Sequence, residues 1–115
     1  MATVRLDQKR HALVRAVPDS YPKALARFFG SGPTDVAAAR AQHQAYRQAL
    51  IDNGVEVTVL PADHTFPDCI FVEDQAVVID GHVLLPVPGH PSRVGEQPPV
   101  ADFLVRQLHG GRLCR

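Results

Sequence analysis

Three acidic side chains lie close together in residues 66–74, which read FPDCIFVED. Asp68 precedes an apolar run, and Glu73 and Asp74 interrupt it. An ionised carboxylate at a buried position is costly unless it is paired. Either one acid meets solvent while the other pairs with a structural arginine, or the acids form a binding site for a cation. A guanidinium suits the second case, because its planar fork matches two carboxylate oxygens.

Arg93 lies in residues 88–96, which read PGHPSRVGE. An arginine in such a segment either is solvated, pairs with a nearby acid, or binds a carboxylate of a ligand. Acids at one end of a cleft and an arginine at the other would suit a zwitterionic, arginine-like ligand.

The sequence offers little for other chemistry. Cys69 stands at the head of an apolar run without a cationic or histidine neighbour, which is typical of a structural cysteine, and Cys114 has no better claim to be a nucleophile. The sequence has no histidine or cysteine spacing typical of a zinc site. It also lacks the residue patterns of calcium-binding loops and of glycine-rich phosphate-binding loops. We therefore expect neither a metal nor a cofactor.

Composition excludes several classes of protein. The 115 residues carry twelve basic and twelve acidic side chains, with 45% hydrophobic and 21% charged residues. A net charge of zero without a basic run argues against binding to nucleic acid or to an anionic membrane. No apolar stretch is long enough to span a bilayer or to form a signal peptide, so we expect a cytoplasmic globular protein.

The elements that must position these residues follow an α/β pattern. The amino-terminal half predicts a strand at 11–17, a loop at 19–32 and a helix at 34–53 that Thr34 caps and Gly54 ends. A strand at 55–60 and a loop at 63–68 follow. The remainder predicts a strand at 69–79, a hairpin at Asp80-Gly81, a strand at 82–87, a loop at 88–99, a helix at 100–108 and a strand from 112 to 115.

Four segments resemble one known family. They are HALVRAVPDS (11–20), AQHQAYRQAL (41–50), LPADHTFPDCIFVEDQAVV (60–78) and PGHPSRVGE (88–96), and they are similar to dimethylarginine dimethylaminohydrolase. That family belongs to the guanidino-group-modifying enzymes. The resemblance implies a five-bladed α/β propeller, pentein-like, built of ββαβ modules. Residues 1–115 would then be a single incomplete domain, the amino-terminal part of the propeller with about its first two modules.

The resemblance also implies an activity and roles for particular residues. The family hydrolyses methylated arginine to citrulline and a methylamine by attack of a cysteine. Asp68, Glu73 and Asp74 match acids that hold the cationic groups of the substrate, and Arg93 matches an arginine that binds its α-carboxylate. Leu25 matches a leucine whose backbone carbonyl contacts the substrate.

The family's catalytic cysteine, histidine and glutamate match no residue of this chain. We therefore expect the 115-residue chain to be inactive by itself. The implied partner is the small-molecule substrate, and the resemblance allows a homodimer.

Three interpretations stay open. The chain is either the binding part of such a hydrolase or a non-catalytic module that binds guanidino ligands. A relative of arginine deiminase or amidinotransferase type would keep the fold and change the reaction. The FVED segment together with SR-x-GE favours the dimethylarginine branch.

Overall fold

A computed structural model describes residues 10–25, 34–79, 81–107 and 112–114. These residues form two small sheets, two long helices and three short 3₁₀-helices. The strands are Arg10–Arg15 (β1), Val55–Leu60 (β2), Val77–Ile79 (β3), His82–Leu84 (β4) and Arg112–Cys114 (β5). The helices are Val36–Asp52 (α1) and Gln97–Gln107 (α2), and the 3₁₀-helices are Tyr21–Lys23, Val72–Asp74 and Pro91–Glu96. No helix among the described residues is long and apolar enough to cross a membrane.

The first sheet pairs β1 with β2 in parallel, and α1 lies between them in the chain. The register runs from Arg10 opposite Val55 to Arg15 opposite Leu60. Parallel neighbours need a crossover connection of this kind. The predicted strand at 55–60 is confirmed, and the strand predicted at 11–17 begins and ends slightly earlier.

The predicted helix at 34–53 is confirmed, with a different cap. The carboxylate of Asp35, rather than the hydroxyl of Thr34, accepts a hydrogen bond from the backbone N–H of Ala38 at 3.0 Å. Gly54 ends the helix with a φ of +80°, a conformation that favours glycine. Tyr46, on this helix, is 58% exposed.

The second sheet contains β3, β4 and β5. The predicted hairpin is present: β3 and β4 are antiparallel from Val77 opposite Leu84 to Ile79 opposite His82, and Gly81 has a φ of +75°. β4 pairs in parallel with β5, which confirms a strand from residue 112. The core beneath this sheet consists of Val83, Leu85 and Ala101, with Ala76 and Leu104 packed against them.

The strand predicted at 69–79 is mostly wrong. Residues 67–75 form tight turns and a 3₁₀-helix, and only Val77–Ile79 is a strand. The backbone N–H groups of Phe71 and Asp74 donate to the carbonyls of Asp68 and Phe71, so they are not available to a sheet. Glu73 and Asp74 therefore lie on a helical turn and do not point to opposite faces of a strand.

The loop predicted at 88–99 is also wrong, because Pro91–Glu96 is a 3₁₀-helix that leads directly into α2. Pro91 stands at the beginning of the first of these helices, and Pro98 lies in the first turn of α2. Proline is tolerated at these positions, where a backbone N–H has no partner within the helix. The imidazole of His90 caps the 3₁₀-helix by accepting a hydrogen bond from the N–H of Ser92.

Gly95 lies directly beneath the ring of Phe66. A Cβ atom at Gly95 would lie 2.1 Å from Cζ of Phe66, far inside van der Waals contact. The two segments singled out in the sequence, one ending in Asp74 and the other in Glu96, therefore touch at a position that excludes any side chain.

We expect Gly95→Ala to lower the free energy of unfolding by about 1–3 kcal/mol, because the ring of Phe66 must move to admit the methyl group. Gly89→Ala is the matched control, since a Cβ there meets nothing within 4 Å, and it should change stability by less than about 0.5 kcal/mol or raise it slightly. Urea unfolding of both variants measures the difference. Equal stabilities would show that the Phe66 ring moves without cost.

Candidate functional site

The side chain of Arg93 lies at the centre of the candidate site and is only 14% exposed. Its Nε and Nη2 donate to the two carboxylate oxygens of Glu96 at 2.9 and 3.0 Å. Nη1 donates to Asp74 at 2.7 Å, and Nη2 also donates to the backbone carbonyls of Asp68 and Phe71 at 3.2 and 3.1 Å. One guanidinium therefore joins two carboxylates and two turns of backbone.

Local structure explains the pair of Arg93 and Glu96. Side chains three residues apart in a 3₁₀-helix lie one above the other, which places these two in contact. Glu96 is 1% exposed, and its charge at that depth requires a cation. The hydrogen bonds to Glu96 raise the pKa of Arg93, more than burial lowers it, so Arg93 stays charged whenever the chain is folded.

Arg93 fixes the shape of the turn that carries the acids. The carbonyls of Asp68 and Phe71 both point at its guanidinium, and the ring centroid of Phe71 lies 6.0 Å from its Cζ, within cation–π distance. Asp74 completes the set from the far end of the turn, with a side chain that is 56% exposed. Asp74 thus matches the first alternative raised from the sequence, in which one of the acids pairs with a structural arginine.

Asp68 differs from Asp74 in its surroundings. It is 6% exposed, and both of its carboxylate oxygens accept the backbone N–H of Leu25, at 3.1 and 3.2 Å. Among the residues that the structure describes, no cationic side chain forms an ion pair with this carboxylate. A buried carboxylate held by a single amide favours a further, positively charged partner.

Glu73 stands apart from the other acids. Glu73 lines a cleft of about 810 Å³ whose walls come from β1, α1, β3, α2 and residues 70–76. Neither Asp68 nor Asp74 lines this cleft. Within the described part of the chain, Glu73 takes part in none of the ion pairs. The structure therefore connects Leu25, Asp68, Asp74 and Arg93 through hydrogen bonds and places Glu73 on the adjoining cleft.

The charges around Arg93 are unbalanced. Four carboxylates, those of Asp68, Glu73, Asp74 and Glu96, lie on the two segments that its guanidinium joins. Two cations face them, Arg93 itself and the buried Arg15 at the end of β1. Such an excess of negative charge favours a cationic ligand. The described residues contain no group of three or more histidines, cysteines or acids placed to hold a metal ion.

Sequence reasoning missed two residues of this network. Glu96 lies within the PGHPSRVGE segment, and its spacing of three from Arg93 predicts the pair only where a helical turn is expected. Arg15, at the end of β1, is buried, and it donates to the carbonyls of Pro61 at 2.9 Å and Glu96 at 3.5 Å. Nothing in its local sequence distinguishes Arg15 from the exposed arginines.

Cys69 is buried, with 1% of its surface exposed. Its thiol lies 3.7 Å from the carbonyl oxygen of Asp63 and 4.0 Å from that of Ala16. Burial raises the pKa of the Cys69 thiol, more than the hydrogen bond to Asp63 lowers it. A protonated, buried thiol is a poor nucleophile. The strand position of Cys114 is described, and its side chain lies outside the described residues.

The sequence is similar to a characterised enzyme. N(G),N(G)-dimethylarginine dimethylaminohydrolase of Pseudomonas aeruginosa is 37% identical over 84 residues, which cover 73% of this chain and 33% of that protein. The chain thus spans about a third of the length of this relative. No family model matches the sequence.

Solved structures give the same answer for the fold. Dimethylarginine dimethylaminohydrolase of Pseudomonas aeruginosa, as a cysteine-to-serine variant complexed with citrulline, superposes with a TM-score of 0.85 at 32% identity, over 92% of this chain and 41% of that one. A dimethylarginine dimethylaminohydrolase with a histidine-to-glycine substitution, as an adduct with S-methyl-L-thiocitrulline, gives a TM-score of 0.83 at 32% identity, over 93% of this chain and 42% of that one. The amino-terminal domain of ArgZ, a cyanobacterial arginine dihydrolase, gives 0.75 at 20% identity, over 92% and 39%, and shows the fold alone. The predicted fold class, part of a pentein-type α/β propeller, is confirmed.

We expect the Cys69 thiol to resist alkylation in the folded chain. In a Cys114→Ser background, iodoacetamide at neutral pH should modify Cys69 at least tenfold more slowly in buffer than in urea, because the folded thiol is buried and protonated. Burial places the pKa of the Cys69 thiol higher in the folded chain than in the unfolded chain. The contribution of this thiol to the free energy of unfolding is therefore fully present below its unfolded pKa and is lost as the pH rises through its folded pKa. Equal rates in both solvents, measured by mass spectrometry, would contradict the burial.

Proposed function

Because this chain is dimethylarginine dimethylaminohydrolase-like in both sequence and fold, we propose that it forms part of the substrate site of an amidine hydrolase. The reaction converts an arginine methylated on its guanidino group to citrulline and a methylamine, by covalent catalysis from a cysteine. The relative that superposes best on this chain among those compared above binds citrulline. In this proposal residues 1–115 are a single, incomplete domain of the propeller.

The observation that carries the proposal is the buried carboxylate of Asp68 among an excess of acids. Its oxygens have one backbone N–H partner, that of Leu25, and no cationic partner among the described residues. A guanidinium or ammonium group of a ligand supplies the missing charge and has N–H donors for these oxygens. Asp74 and Glu73 supply further negative charge on the same turn.

Leu25 fits the role that the resemblance gives it. Its N–H is bonded to Asp68, which fixes the backbone at this point. Its carbonyl oxygen accepts no backbone hydrogen bond from the part of the chain that the structure describes. We propose that this oxygen accepts a hydrogen bond from the cationic group of the ligand, the role that the resemblance gives it.

Arg93 keeps one donor for a ligand. A guanidinium has five N–H donors. Nε donates to Glu96, the two on Nη2 serve Glu96 and the two backbone carbonyls, and one on Nη1 serves Asp74. The second N–H of Nη1 has no acceptor among the described residues. We propose that it donates to the α-carboxylate of the ligand.

A second candidate function is binding of guanidino ligands without chemistry, which needs only the acids and Arg93 and no nucleophile. The reaction requires a thiolate near the guanidinium carbon and a proton donor for the departing amine. Cys69 is buried and its pKa is raised. In the hydrolase proposal, the nucleophile comes from outside this sequence.

We expect Asp74→Asn to weaken binding of dimethylarginine to the chain by about 2–5 kcal/mol, because a charged partner of the ligand becomes neutral. The fold should survive, since Glu96 still pairs with Arg93. Asp102→Asn, an exposed acid on α2, is the matched control and should bind as the parent does. NMR titration measures both affinities. Identical affinities in parent and Asp74→Asn would exclude Asp74 from the site.

The 115-residue chain by itself should release no citrulline from dimethylarginine above the rate in buffer. Binding without a nucleophile does not lower the barrier of the chemical step. The measurement is citrulline released by purified chain at several protein concentrations. Release that scales with protein and disappears in Cys69→Ser or Cys114→Ser would show that one of these cysteines performs the chemistry.

A further inference from the structure

Glu96 is the most deeply buried acid of the candidate site, yet it does not belong to the turn that carries the other acids. Both of its oxygens are bound by Arg93. A carboxylate with so little exposure makes no contact with a ligand unless the site rearranges. Its influence on the site must therefore pass through Arg93.

Backbone contacts hold Glu96 in place from two sides. Its carbonyl oxygen accepts a hydrogen bond from Arg15, which is itself bonded to the carbonyl of Pro61 beyond β2. Its neighbour Gly95 lies against the ring of Phe66. Glu96 thus starts from a rigid point where the ends of β1 and β2 meet the 3₁₀-helix.

The pair orients the remaining donors of Arg93. With Nε and one edge of Nη2 bound to Glu96, the planar guanidinium has a fixed direction, and its other N–H groups reach the carbonyls of Asp68 and Phe71 and the carboxylate of Asp74. Without that ion pair, the flexible side chain of Arg93 would have many rotamers available, and ordering it in this one would cost conformational entropy.

We propose that Glu96 is a positioning residue of the guanidino site: it holds Arg93, and Arg93 sets the spacing of Asp68 and Asp74. This inference rests on the proposed function for its meaning in ligand binding. Glu96→Gln tests it closely, because the amide keeps the size of the side chain, removes its charge and turns an N–H₂ group toward the donors of Arg93.

The first experiment separates positioning from stability. Dimethylarginine is titrated by NMR into the parent chain, Glu96→Gln and Val83→Ala. Val83 is as deeply buried as Glu96 and lies in β4 of the second sheet. We expect Glu96→Gln to bind at least tenfold more weakly and Val83→Ala to bind within twofold of the parent, although both are destabilised. Parent-like affinity in Glu96→Gln, or an equal loss in Val83→Ala, would overturn the proposal.

The second experiment tests whether the effect passes through Arg93. In an Arg93→Gln background, Glu96→Gln should cause no further loss of affinity, because the residue it acts on is already gone. Losses that add in full would show that Glu96 acts independently of Arg93 and would overturn the proposal.

The third experiment needs no ligand and keeps the two proposals distinguishable. Exchange of the Nε–H of Arg93 with water, followed by ¹⁵N NMR, should be slow in the parent and in Val83→Ala, and at least tenfold faster in Glu96→Gln. If the parent binds no dimethylarginine, the proposed function fails, and this exchange alone decides whether Glu96 holds Arg93. Equally fast exchange in all three chains would overturn the positioning role.

Glu96→Asp replaces Glu96→Gln in all three experiments if the latter does not fold. The shorter carboxylate keeps the charge and does not span both Nε and Nη2 from the same backbone position. We expect faster exchange at Arg93 and weaker binding than in the parent. Parent-like values of both would contradict the proposal.

Discussion

Removing the guanidinium of Arg93 from water sets the geometry of the candidate site. A charge with this little exposure must find carboxylates and carbonyls, and it finds them on two segments about twenty residues apart in the chain. Satisfying it bends residues 67–75 into turns, because the carbonyls of Asp68 and Phe71 must point the same way. The acids then lie where those turns place them, so the shape of the site follows from the requirement to pair one buried cation.

Local patterns predicted the elements that depend on local physics. Alternation predicted β2, helical spacing predicted α1, and glycines with positive φ marked the end of α1 and the hairpin before β4. The strand predicted at 69–79 was mostly wrong, although an apolar, β-branched run has strand propensity. Its backbone hydrogen bonds are made within its own turns, and the carbonyl of Phe71 accepts from Arg93. The loop predicted at 88–99 was wrong because proline, which breaks the interior of a helix, is well suited to the first turn of a helix.

The site was predicted in part for a similar reason. The acids and Arg93 were visible as unusual residue types, and the resemblance to a family added Leu25. The contact of Leu25 with Asp68 spans 43 residues of chain and leaves no local signal. Glu96 was overlooked because its relation to Arg93 exists only if the segment is helical. The roles of these residues toward a ligand stay predictions, because contacts of the acids with Arg93 do not identify the ligand.

Holding a guanidinium and cleaving it place opposite demands on a protein. Binding requires fixed negative charge, which we propose that Asp68, Glu73 and Asp74 provide, whereas attack on the guanidinium carbon requires a thiolate. Negative charge beside a thiol disfavours the thiolate, so the two functions conflict if they share one turn. Burial is the main reason why the pKa of Cys69 is raised, and the charges of Glu96 and Asp63 raise it further. A nucleophile carried by a different part of the propeller avoids the conflict. In the hydrolase that we propose, the acids hold the cation, and a thiolate remote from them in sequence attacks the carbon.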